Sequence, residues 1–74
     1  MKLSDHLAMA KHRVEKSRHI IERQREVIAK RREAGQQTAV SENVLAVLER
    51  SHAALEHGLR ALLNEERANE PPPR

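Results

Sequence analysis

Histidines and carboxylates are the side chains here best suited to chemistry, and two groups of them stand at informative spacings. His12 and His19 are seven residues apart, with Glu15 three after the first and four before the second. On a helix all three share one face, and imidazole with carboxylate is a donor set for a transition metal. That face lies opposite the apolar stripe, however, with Lys11, Lys16 and Arg18 beside it. It reads as a solvated face carrying pairs such as Arg18–Glu22 and Glu26–Lys30. Glu49-x-x-His52 repeats the spacing of carboxylate-bridged two-metal bundles, in which lone glutamates, here Glu22, complete the set. His52 borders the core, but Glu49 and Glu22 point to solvent, so these ligands do not converge. No metal and no cofactor is expected, and His52 is read as a boundary residue hydrogen-bonded to Gln24.

Nucleophilic catalysis finds little support. Ser17, Ser41 and Ser51 lack a recognisable His–acid arrangement, and there is no glycine-rich phosphate loop. The chain is not expected to be an enzyme. Its basic residues carry the stronger functional signal. Lys11, Arg18, Arg25 and Arg32 form one seven-residue series, and Lys16, Arg23 and Lys30 form a second. The two series flank the hydrophobic seam from opposite sides. Such rows can contact phosphates, but Glu15, Glu22, Glu26 and Glu33 interrupt the field. Long basic stems also cover core edges and pair with residues such as Glu49 and Glu56. These seven residues are the expected interaction surface.

Two helices of similar length must position these groups. Leu7, Val14, Ile21 and Ile28 recur every seven residues, with Ala10, Ser17 and Gln24 in the layers between, which is a helical and not a strand period. Ser4 is the expected N-cap, followed by Asp5 in the first turn. Lys30, Arg31 and Arg32 suit the carboxyl end, and Gly35 suits the left-handed position that terminates many helices. Thr38 is the best second N-cap, with Ser41 its rival one turn later. Leu48, Leu55 and Leu62 then repeat at seven residues. The pattern predicts helices over 5–34 and 39–68 joined by a turn at 35–38, forming an antiparallel hairpin within a single domain, 1–70. One continuous helix through Gly35 is the alternative. Pro71, Pro72 and Pro73 cannot continue a helix, and 71–74 is read as a disordered, proline-rich tail. Gly58, inside the second helix, suggests a close backbone approach.

Composition limits what such a hairpin can do. The 74 residues include no aromatic residue and no cysteine, and 38% are hydrophobic. That excludes aromatic stacking platforms for bases, disulfides and thiolate metal sites. The absence of cysteine is consistent with a reducing, cytoplasmic setting. No apolar run is long enough for a membrane span, and Met1-Lys2-Leu3-Ser4 is too quickly polar for a targeting segment. Residues 1–34 carry net +5 and residues 35–74 net −2, so unlike helices attract. Two helices bury too little to offset the ordering of their residues, and Ile20, Val27, Val40 and Val47 widen the apolar strip beyond a two-helix seam. A homodimeric four-helix bundle is therefore expected. Its core comprises Leu7, Val14, Ile21, Gln24, Ile28, Leu48, His52, Leu55 and Leu62.

The stretch His19-Ile20-x-x-Gln24-Arg25-x-x-Ile28, then Gly35-x-x-Thr38, then Val44 to Leu48 and His57, resembles a group of short helical-hairpin proteins of alphaproteobacteria. The likeness covers roughly residues 12–63 and implies a bacterial cytosolic origin and an all-helical hairpin. It carries no activity with it. The reading is a small homodimeric protein-interaction or regulatory module whose further protein partner is unspecified. A nucleic-acid-associated protein using the basic surface is the alternative.

Overall fold

A computed structural model of the chain describes residues 2–69; the proline-rich tail expected at 71–74 lies outside them. The architecture is all-α. Helix α1 runs Leu3–Glu33 and α2 runs Ala39–Ala68, and the two pack against each other as an antiparallel hairpin. At about 1.5 Å per residue each spans about 45 Å.

Gly35 ends α1 for the reason expected of it. Its φ is +72°, a left-handed conformation that costs other residues a clash between Cβ and the backbone. The Gly35 N–H donates to the Arg32 carbonyl at 3.0 Å and the Gln36 N–H to the Arg31 carbonyl at 2.8 Å. This paired pattern is the Schellman motif, and it rules out a continuous helix. Thr38 is the N-cap of α2, its carbonyl accepting the Glu42 N–H at 2.8 Å, with no bond from its side chain. Ser41 falls inside the first turn of α2 and is buried.

The amino end of α1 differs from expectation. The helix begins at Leu3, with Lys2 and not Ser4 as its N-cap. The Lys2 carbonyl accepts the N–H groups of Asp5 and His6 at 3.0 and 3.2 Å. Backbone bonding starts the helix there without a side-chain cap, and Asp5 remains in the first turn to favour the dipole.

Leu7, Val14, Ile21 and Ile28 are the buried apolar residues of the hairpin, each 5–6% exposed. They lie against α2, whose Leu45, Leu48, Leu55, Leu59 and Leu62 remain half-buried. Nothing approaches within 4 Å of where a Cβ would stand at Gly58, so the close approach expected there does not occur within the hairpin.

The two glycines should therefore respond in opposite directions. Gly35→Ala is expected to destabilise the hairpin by about 1–2 kcal/mol, the cost of a left-handed alanine. Gly58→Ala is expected to stabilise the isolated, monomeric hairpin by up to about 1 kcal/mol through helix propensity, since nothing lies over it within the chain. Urea unfolding followed by circular dichroism, at one protein concentration, checks both signs.

Candidate interaction surface

The seam between α1 and α2 is apolar at the α1 row and polar in two of the layers between. At one, the Gln24 side-chain amide donates to the Ser41 backbone carbonyl at 2.9 Å. At the other, Ser17 Oγ and His52 Nδ1 are 3.1 Å apart, and His52 Nε2 lies 2.8 Å from Glu56 Oε1. Gln24 and His52 thus have separate partners, not each other. No buried polar side-chain atom among the described residues lacks a hydrogen bond.

Ser17, His52 and Glu56 form a hydroxyl–imidazole–carboxylate chain that sequence reading did not anticipate, because Ser17 is 35 residues from His52 and on the other helix. The i,i+4 spacing of His52 and Glu56 was visible; the serine opposite was not. As a reactive group the chain is poorly equipped. Ser17 sits in the middle of α1, where backbone N–H groups are taken up by the helix ladder, so they cannot stabilise an oxyanion. The arrangement does serve as a satisfied polar layer, which fixes the register of neighbouring helices.

Most of the histidine and glutamate side chains considered as metal ligands have other partners. Glu15 pairs with Arg18 at 2.9 Å, His19 lies 3.7 Å from Glu22, and Glu49 lies 4.0 Å from Arg25. Arg18 therefore selects Glu15 over the expected Glu22. Among the described residues no group of three His, Asp or Glu side chains is placed to hold a metal ion.

Packing separates the two basic series. Arg25 and Arg32 reach across one side of the hairpin to Glu49 and Glu42, beside a groove lined by Ile28, Ala29 and Leu45. Lys11 and Arg18 continue that row toward the start of α1. Lys16, Arg23 and Lys30 lie toward the other side and the back of α1, Lys16 and Arg23 sharing a groove with His12, Glu15, His19 and Ile20, and none has a carboxylate in ion-pair range among the described residues. This second side is open. A groove there is lined by Arg13, Lys16, Ser17, Ile20, Leu48, Ser51 and Leu55.

Ile20 and Val27 stand on the open side at 42% and 39% exposed, and Val44 and Val47 are more exposed still. On α2 the row continues as Val40, Val44, Val47, Ser51, Ala54, Gly58 and Ala61. Each member precedes a seam residue by one position. One position is about 100° of helix rotation, so α2 carries two uncharged faces, and only one of them meets α1. Of the residues expected in a dimer core, Leu7, Val14, Ile21, Gln24, Ile28, Leu48, His52, Leu55 and Leu62 lie along the intrachain seam, the first of these rows buried by the chain's own second helix.

No helix among the described residues is long and apolar enough to cross a membrane. Comparison with known proteins gives no match to a protein family, a curated protein or a solved structure. Of the resemblance to alphaproteobacterial hairpins, the two-helix, all-helical hairpin is the part the structure supports.

The Ser17–His52 layer should be measurable. In a double-mutant cycle with Ser17→Ala and His52→Leu, the coupling energy in urea unfolding is expected to be about 1 kcal/mol. A coupling near zero would show that the contact contributes nothing to the seam.

Proposed function

We propose that the hairpin is a small protein-interaction module that works as a homodimer, joining through its open side. The carrying observation is the asymmetry of the two flanks. One is bridged by Arg25–Glu49 and Arg32–Glu42; the other has no ion pair across it among the described residues and presents Ile20, Val27, Val44 and Val47 to solvent. An exposed helix face ordinarily carries charged residues, so a continuous uncharged row is best explained by a surface that covers it. A cytoplasmic, bacterial setting belongs to this proposal, supported by the cysteine-free composition and the resemblance of residues 12–63.

A second reading has one observation in its favour: Lys16, Arg23 and Lys30 form a row free of carboxylate partners among the described residues. It would make phosphate contacts to a nucleic acid. Binding to duplex DNA or RNA that weakens steeply with salt, with a slope reduced by about one on removing each of these residues, would establish it.

Sedimentation equilibrium tests the dimer. The expected result is a monomer–dimer equilibrium whose dissociation constant rises at least tenfold, about 1.4 kcal/mol, in Val47→Arg. Val47 is 53% exposed, so the hairpin itself tolerates this change. A folded monomer at every concentration, with Val47→Arg indistinguishable from it, would defeat the proposal.

A further inference from the structure

We infer that the second copy docks with its α2 over α1 of the first, both turns at the same end, around a two-fold axis parallel to the helices. This rests on the dimer proposed above and specifies its topology. Two ways of joining the open sides are available. A two-fold axis across the helices would lay α1 on α1′ and bring two rows of Lys16, Arg23 and Lys30 together. Like charges so placed repel. An axis parallel to the helices lays α1 on α2′, whose open row from Val40 to Ala61 carries no charge, so the basic row of α1 meets no like charge there.

Side-chain size favours the same choice. The Ser17–His52 contact sets which residues of the two helices stand at one height. Within one residue of that register, Lys16, Arg23 and Lys30 are level with Ala54, Val47 and Val40. An axis parallel to the helices preserves height, so the same levels meet between copies. Each long basic stem of α1 then crosses a short uncharged residue of α2′, its charged end remaining in water. Ile20, which shares a groove with Ser51 of its own chain, comes within two residues of the level of Ser51′, whose side chain is small. Laying α1 on α1′ offers no such match of long with short.

The chain contains no cysteine, so engineered disulfides report the topology directly. Lys16→Cys and Ala54→Cys variants are mixed under reducing conditions and then oxidised with diamide. A second pair, Arg23→Cys with Val47→Cys, lies one heptad nearer the turn and controls for misfolding of the first. The expected result is a cross-linked dimer from each mixture and little from any variant alone. Efficient cross-linking of Lys16→Cys or Arg23→Cys alone would overturn the topology, as would dimers in sedimentation without mixed disulfides. Either outcome leaves the proposed dimer standing. A chain that sediments as a monomer throughout overturns both.

Discussion

Everything in this hairpin depends on a seam only one residue row deep. Two helices of about thirty residues meet along Leu7, Val14, Ile21 and Ile28, and those four take nearly all of the deep apolar burial. The leucines of α2 reach the seam from its edges and keep part of their surface in water. At about 25 cal/mol per Å² of apolar area, a strip this narrow gives limited cohesion. No aromatic side chain is present to enlarge it. Sharply defined turn chemistry, complementary charge and satisfied polar layers therefore carry more of the task of defining the fold than they would in a thicker domain.

The polar layers compensate by being directional. An apolar strip of leucine and isoleucine tolerates a slip of one heptad, because each layer looks much like the next. Ser17 with His52, and Gln24 with the Ser41 carbonyl, do not. A seven-residue slip would leave an imidazole or an amide in the seam without its partner, at a cost of about 1–3 kcal/mol for each unsatisfied group. His52 is anchored twice, since Glu56 takes its other ring nitrogen. Both ring nitrogens therefore have a partner, Nδ1 the Ser17 hydroxyl and Nε2 the Glu56 carboxylate.

Much of this was legible in the sequence, and the reason lies in which features are local. The seven-residue recurrence, Gly35 and Thr38 each act within a turn or two of helix, and each appears where its chemistry requires. The sidedness of the two basic series was also legible, because heptad position alone sets it. What escaped reading depends on how one helix sits along the other. Counting back from the turn places His52 beside Ile21, but the imidazole reaches one turn further, to Ser17. The start of α1 escaped for a different reason. The carbonyl of Lys2 captures the first amides, and no residue preference announces a cap made only of backbone.

The two flanks show one sequence solving two problems with the same alphabet. Where α1 and α2 of one chain must close, arginine stands opposite glutamate, and surface pairs of this kind, individually worth well under about 1 kcal/mol, still favour one partner over another. Where the hairpin stays open, the charge on α1 is not answered on α2. Val40, Val44, Val47, Ser51, Ala54, Gly58 and Ala61 carry neither a charge nor a bulky side chain. Were that face simply solvated, glutamate and lysine would be the cheaper occupants, with good helix propensity and no apolar surface left in water. Gly58 sharpens the point, since a glycine weakens the helix by about 1 kcal/mol relative to alanine and meets nothing within its own chain. In the proposed dimer this row of small residues is covered, and the long basic row of α1 is the surface with the matching relief.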